Sequence, residues 1–205
     1  MRFTSFSSFS FSIVFCLLVV SNLKAQDYLH QVIVLNEGYS DWETGEVIEP
    51  ATMAMYDPGL EIYAVVDTIE DAGFVSDALI FDEKIYVAAD GALLKYDANS
   101  YELLQSENIV GIRKMAMHSG LIYITRGDVD DQFQSLQLDS YFQWYDAESL
   151  ELVGELTVNE NGPQFATEGI ALAGERIYFA INNAFDWGNE VGLLGAYDIV
   201  GDEYI

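Results

Sequence analysis

An apolar run ends in the pair Tyr-Asp at four places, Tyr56-Asp57, Tyr96-Asp97, Tyr145-Asp146 and Tyr197-Asp198, at intervals of 40, 49 and 52 residues. Around the two central copies the likeness extends further: KYDANSYELL (95–104) returns as WYDAESLELV (144–153). A second marker precedes the last three copies, as Ile85-Tyr86-Val87, Ile122-Tyr123-Ile124 and Ile177-Tyr178-Phe179, and Val32-Ile33-Val34 takes its place before the first. Self-similarity at such a period means that one supersecondary unit is written several times and that neighbouring units bury one another.

Each full unit parses into four short strands. In the third, KMAMH (114–118) turns at Ser119-Gly120 into LIYIT (121–125), a loop leads to YFQWYD (141–146), and LELVGELTV (150–158) closes the unit. These runs are β-branched and aromatic, bounded by Gly, Asp, Asn and Ser, and no helical apolar period persists. They are nearly continuous rather than alternating, so both faces of each small sheet have to be covered. Four antiparallel strands, repeated and shielded front and back, describe a β-propeller blade; the expected fold is all-β with about four blades. In that reading Tyr-Asp ends the third strand of a blade, its carboxylate accepts backbone N–H groups in the turn, and the Glu-Leu run is the outer strand. Asp57-Pro58-Gly59 is the same corner with stronger turn residues. The strands number three in the first unit, which begins at its second strand, four in the next two and about three in the last.

The first 25 residues read as a signal peptide. Arg2 supplies the positive start, Ile13 to Val20 is a short apolar run, and Leu23-Lys24-Ala25 precedes the expected cleavage before Gln26. The run is too short to span a bilayer and no second one follows, which predicts an exported domain over 26–205 without membrane insertion once the signal is removed. Cys16, the single cysteine, leaves with the signal and takes thiol and disulfide chemistry with it. Of 8 basic residues Arg2 and Lys24 also leave, so 8 − 2 = 6 face 34 acids, a formal charge of 6 − 34 = −28. That field repels phosphate backbones and anionic membrane surfaces and excludes nucleic acid as a partner. Cations, cationic ligands and basic protein faces remain open, and so does a plain solubility role.

The strand VIVLNEG (32–38), followed by MYDPGLEI, IYVAADGALLKYDANSYELL and EGIALAGERIYFAINN, resembles the exported YVTN/YncE-like propeller repeats, in particular a bacterial cell-surface group that opens with an Asn-Glu-Gly strand. The resemblance covers residues 30 to 205 and implies fold more specifically than ligand. It implies a seven-bladed ring for complete members, some of which sit beside outer-membrane receptors and capture small nutrients such as corrinoids. Two departures stand out. Phe15 stands where a lipoprotein signal needs a small residue before its cysteine, and the chain holds too few blades for such a ring. An arc of four partial blades leaves terminal sheets uncovered, so the expectation is a portion of a longer protein, or closure by dimerisation.

Alternating strand direction places the second-to-third connections and the blade-to-blade segments on one rim. The long connections are Asn36 to Pro50, Arg126 to Ser140 and Asn182 to Gly192, whereas the second unit has only Asp90-Gly91, a tight hairpin signal that notches this face. The first and last place acids beside tryptophan, in Asp41-Trp42-Glu43 and Asp186-Trp187, and the middle one has Phe133 after Asp128, Asp130 and Asp131. Aromatic planes with nearby carboxylates suit flat, cationic or polyol ligands, and capping of the blade ends is the structural alternative. Glu168, with Asp77 and Arg113 in earlier units, is expected just before an innermost strand, near the channel mouth. Asp128, Asp130 and Asp131 are candidate calcium ligands, although their run lacks EF-hand spacing and its twelfth-position glutamate. Arg126-Gly127-Asp128 is an integrin-type tripeptide of the sort that arises by chance.

Catalytic signatures are scarce. His30 and His118 stand alone in strand-like surroundings, and no HExxH, nucleophile elbow, Walker loop or Rossmann fingerprint occurs. The leading expectation is therefore a non-catalytic, exported module, in the periplasm, at the cell surface or outside the cell, binding a small molecule or an exported or outer-membrane protein at the long-loop rim, with no cofactor. Two alternatives stay open. One is a calcium-dependent lactonase or phosphotriesterase in which Glu168 and Asn182 supply part of the metal set; the other is a structural interaction module.

Overall fold

A computed structural model describes residues 31–41, 43–130, 132, 134–183 and 188–205; the expected signal segment and His30 lie outside them. The chain is all-β, and among the described residues the one helical element is a single 3-10 turn at Val158–Glu160. Four antiparallel sheets follow one another along the chain. The first joins β1 (Val32–Asn36), β4 (Ala51–Asp57) and β5 (Ile62–Ile69), and a small hairpin of β2 (Tyr39–Ser40) and β3 (Val47–Glu49) interrupts its β1–β4 connection. The second runs β6 (Val75–Phe81), β7 (Lys84–Ala89), β8 (Ala92–Asp97) and β9 (Leu103–Asn108), in chain order. The third is β10 (Ile112–His118), β11 (Leu121–Arg126), β12 (Ser140–Asp146) and β13 (Leu152–Thr157), and the fourth is β14 (Thr167–Ala173), β15 (Arg176–Asn182), β16 (Gly192–Asp198) and β17 (Glu203–Tyr204).

The fourth sheet corrects the expectation of about three strands. Tyr204 pairs with Tyr197 and Glu203 with Asp198, and Ile205 exchanges backbone hydrogen bonds with Ala196, so a short outer strand completes the unit. Two residues carry too little periodicity to be recognised as a strand from sequence.

Tyr-Asp ends β4, β8, β12 and β16, and the aspartate closes the turn that follows. Oδ1 of Asp57 accepts from the N–H groups of Gly59 and Leu60, that of Asp97 from Asn99 and Ser100, that of Asp146 from Glu148 and Ser149, and that of Asp198 from Gly201. The residue after the pair adds a second lock. Ala98 N–H donates to Glu83 O, Ala147 N–H to Gly120 O and Ile199 N–H to Glu175 O, each at 2.9 Å, tying the third strand's end to the turn between the first two. Local polar bonds thus fix the corner that the repeat marks.

The near-continuous apolar runs are explained by which neighbour each residue meets. Along β7, Ile85, Val87 and Ala89 pack against Ala51 and Met53 of the first sheet, while Tyr86 and Ala88 face Ile122, Ile124 and Tyr145 of the third. Along β11, Ile122 and Ile124 face the second sheet, and Tyr123 turns to Phe179 and Tyr197 of the fourth. Period-two alternation is present, but both sides are dry, so both sets are apolar. The hydroxyl of Tyr86 donates to Ala147 O at 3.0 Å, so the Ile-Tyr-Val marker of one unit bonds the Tyr-Asp-Ala corner of the next. Between the third and fourth sheets the contact is aromatic: Phe142 stacks on Phe179 at 4.4 Å and Trp144 on Tyr197 at 5.0 Å. Gly154 is required beside that stack, because a Cβ there would lie 2.3 Å from the Trp144 ring.

The outward faces of the two end sheets are apolar and open. The first carries Val32, Tyr56, Tyr63 and Val65, all exposed, and the fourth carries Leu194 and Ile205, at 72% and 59% exposure.

Candidate functional site

The connections expected on one rim do emerge at one end of the sheets, where the inter-sheet segments bond the ends of the second strands. Asp90 N–H donates to Phe74 O, Gly127 N–H to Gly111 O and Asn182 N–H to Ala166 O. Gly127 is wedged here: a Cβ on it would sit 2.5 Å from that of Ala166 and 3.2 Å from the Ala166 backbone. The Asp90-Gly91 hairpin forms as read, with positive φ at both residues, and Asp90 Oδ2 accepts from the N–H groups of Gly73 and Phe74. Above it lies the expected notch, a depression of about 410 Å³ between Ser40 and Val47 on one side and Gly111 and Asp128 on the other.

Several candidate residues have local structural work. Asp41 accepts from the N–H groups of Thr44 and Glu43, which holds its carboxyl below the usual carboxylate range and sets the β2–β3 turn; Glu43 is exposed at the turn. Asp130 Oδ1 accepts from the N–H groups of Gln132 and Gln134, and Asp128 Oδ1 from that of Val129. These two carboxylates therefore shape their loop, and no group of three or more metal-ligating acids, histidines or cysteines occurs among the described residues. Trp42, Asp131, Phe133, Asp186 and Trp187 lie outside the described residues.

Glu168, Arg113 and Asp77 stand within β14, β10 and β6, not before them as expected. Each of these first strands shifts register next to the rim, between Val75 and Asp77, Ile112 and Met115, and Thr167 and Ile170. A bulge of this kind re-aims side chains, and it extends the strand past the point where the sequence alternation stops. The charges link neighbouring sheets. Asp77 Oδ2 accepts from Met115 N–H at 2.8 Å, Lys114 donates to Ser76 O, and Arg113 Nε lies 3.5 Å from Glu168 Oε1 and donates to Gly127 O. His118, expected to stand alone, has Nε2 3.2 Å from Glu175 Oε2 at the opposite end of its sheet.

Thr167 carries no signal in the sequence, and Arg126 stands there only as the start of a loop and of a chance tripeptide, yet the two organise this rim. Arg126 is 9% exposed; its Nε donates to Val110 O and its Nη1 to Ser140 O, and burial pushes its guanidinium pKa down. Thr167 Oγ1 accepts from Arg126 N–H and donates to Tyr141 O. The integrin-type tripeptide is thus not presented, because its arginine is inside. A buried arginine next to a strand end would have been the available sequence signal, but an acidic chain offers no reason to expect one.

Beside this arginine, the β11–β12 loop, the 159–166 segment and the start of the β15–β16 loop enclose a cavity of about 230 Å³. Gln134, Gln137, Tyr141, Gln164, Phe165 and Asn183 line it, and none of the described lining residues is charged. Asn183 is 4% exposed and anchors its own loop, donating from Nδ2 to Asn189 O and accepting from Val191 N–H.

No protein-family model and no curated protein matches the chain. Among solved structures it is similar to one described as the extracellular domain of the one-component system BT4673 from B. thetaiotaomicron, with a TM-score of 0.54 and 14% identity over 83% of this chain. The chain spans 21% of the length of that protein. At this identity the likeness concerns the all-β fold alone. No helix among the described residues is long and apolar enough to cross a membrane.

Proposed function

We propose that the four sheets are consecutive blades of an exported β-propeller resembling the YVTN/YncE-like group, and that the chain binds a small molecule at its long-loop rim without chemistry. Three observations support the blade reading: chain-ordered sheets of three or four antiparallel strands, face-to-face cores between successive sheets, and first strands linked across sheets by Asp77, Lys114, Arg113 and Glu168. The extracellular location of the structural neighbour is in keeping with export.

The observation that carries the binding reading is the cavity of about 230 Å³ between the third and fourth sheets, whose described lining carries no charge. Its described lining sets side-chain amides and a serine beside two aromatic rings, Tyr141 and Phe165, and it sits on loops held by a rigid scaffold. The hydrolase alternative gains less support, since the Glu168 carboxylate meets Arg113 at 3.5 Å.

The test is thermal unfolding of the chain with a panel of neutral sugars, amino acids, short peptides and cyanocobalamin. A probe at a hundred times its Kd is expected to raise Tm by about 5–10 °C. The same probe should have no effect on Gln137→Trp, in which an exposed loop side chain is replaced by one that fills the recess. A panel with no shift, or an equal shift in Gln137→Trp, rejects the reading.

A further inference from the structure

The geometry points to a neutral, polyhydroxylated ligand, a saccharide, held in this cavity through side-chain amide oxygens; the inference rests on the binding reading above and specifies its ligand class. The first argument concerns which hydrogen-bonding functions are free. Gln137 Nε2 donates to Ser135 O at 3.1 Å, Gln134 Nε2 to Gln132 O at 3.3 Å, and Gln164 Nε2 to both Val158 O at 3.0 Å and Gly162 O at 2.7 Å. A main-chain carbonyl only accepts, so these bonds fix which end of each amide is nitrogen. Gln164 has both N–H groups engaged and Gln134 and Gln137 keep one each, so the three amides offer the cavity more acceptor than donor capacity. Their natural complement is a ligand rich in O–H donors.

Charge narrows the class from both sides. An anion would need cations, and each of the six basic residues beyond the expected signal already has a partner within the chain. Lys84 pairs with Asp97, Lys95 with Glu148, Arg113 with Glu168 and Arg176 with Asp198, while Lys114 and Arg126 donate to backbone carbonyls. A cation would be drawn to the acidic surface in general, but inside this recess it would lose water and meet no carboxylate among the described lining residues. A hydroxylated neutral molecule suffers neither penalty.

Shape completes the argument. Tyr141 and Phe165 supply aromatic wall, suited to the C–H face of a sugar ring, and the Tyr141 hydroxyl is engaged with Leu136 O, which holds the ring in place. A volume near 230 Å³ falls below the usual range of about 300–1,000 Å³ for drug-sized ligands. It suits a sugar residue at the end or in the middle of an oligomer, and not a corrinoid.

The test is isothermal titration of the full chain with neutral trisaccharides (xylotriose, cellotriose, maltotriose and mannotriose), with trigalacturonate as the anionic probe and spermidine as the cationic one. At least one neutral trisaccharide is expected to bind. Gln137→Leu, which removes an acceptor and keeps the bulk, should weaken that binding about tenfold, whereas Gln137→Glu, which still accepts, should stay within about threefold. The pair Gln134→Leu and Gln134→Glu should behave alike; both positions are exposed loop sites, and the melting temperatures of all four variants serve as folding controls. Failure of every neutral trisaccharide to bind overturns the inference, as does equal affinity of Gln137→Leu and wild type. Binding of trigalacturonate or spermidine that Gln137→Trp abolishes would overturn it while leaving the small-molecule proposal in place.

Discussion

The same marker tyrosine occurs in three units with three different surroundings, and truncating it tests how successive sheets hold one another. Tyr86 lies between the second and third sheets, is 2% exposed and donates to Ala147 O. Tyr123 lies between the third and fourth, is equally buried, and has Phe142, Trp144 and Tyr197 rings within 6.2 Å. Tyr178 projects from the far side of the fourth sheet, opposite Ala196 and away from the Phe179 side, and is only half-buried. A buried aromatic residue changed to alanine costs about 3–5 kcal/mol, from lost transfer energy and the cavity left behind. Tyr86→Ala also strands a buried carbonyl, placing it at the upper end. Tyr178→Ala, which loses partial burial and opens no enclosed cavity, should cost about 1 kcal/mol. With a urea m-value near 2 kcal/mol/M, the midpoints should fall by about 2 M for the first two and about 0.5 M for the third. Tyr86→Phe isolates the hydroxyl and should cost about 1–2 kcal/mol, against almost nothing for Tyr178→Phe. Equal losses at Tyr86 and Tyr178 would refute the reasoning, because sequence position would then matter and face-to-face burial would not.

Other outcomes follow from the same geometry. The corner carboxylates Asp97, Asp146 and Asp198 are held below their usual value by turn N–H groups, first those of Ser100, Ser149 and Gly201. Their contribution is therefore full above the unfolded value of about 3.9 and lost as pH falls through the folded values; a triple Asp→Asn variant should show a flatter Tm between pH 5 and 2. At the alkaline end, burial raises Tyr86 and pushes Tyr145 up to about 12. The folded state holds those protons more tightly, so stability is full below pH 10 and declines above it, and absorbance at 295 nm should show these phenols ionising only with unfolding. Gly127→Ala should cost about 1–3 kcal/mol by overpacking against Ala166 and weaken any rim ligand in titration. Lys95 is buried but its partner Glu148 is 90% exposed, so Glu148→Gln should change the stability measured in urea by no more than about 0.5 kcal/mol.

The sheets were legible in the sequence because their determinants are local and repeated. Strand runs, Asp-Gly and Ser-Gly turns and Tyr-Asp corners each act within a few residues, and four copies reinforce one reading. The rim was less legible for a physical reason. Its bulges move Asp77, Arg113 and Glu168 into strands by register shifts that depend on pairing partners, which a single strand does not encode. Acid-rich loops looked like ligand sites, yet Asp41, Asp128 and Asp130 bind their own backbone. The cavity instead draws on glutamines, which carry no signature in sequence and acquire meaning only when three segments meet.

This division bears on what the strong negative charge does. Charge of one sign spread over an exported surface keeps molecules apart and gives no selectivity of its own. Selectivity needs a place where that field has no local source, and the structure ties the scarce cations to carboxylates and carbonyls of the chain while the turn aspartates satisfy backbone groups. Arg126 shows how the two requirements meet: its guanidinium joins Val110 O to Ser140 O, bracing the ends of two sheets, and in doing so it is removed from the solvent beside the recess. Replacing it with methionine should leave those carbonyls unpaired at about 1–3 kcal/mol each, loosening the loop that carries Gln134 and Gln137. Ligand affinity should fall with stability in Arg126→Met, whereas Gln137→Leu should lower affinity alone. If both variants lowered only affinity, the arginine would be contacting the ligand directly, and the neutral character assigned to the recess would be wrong.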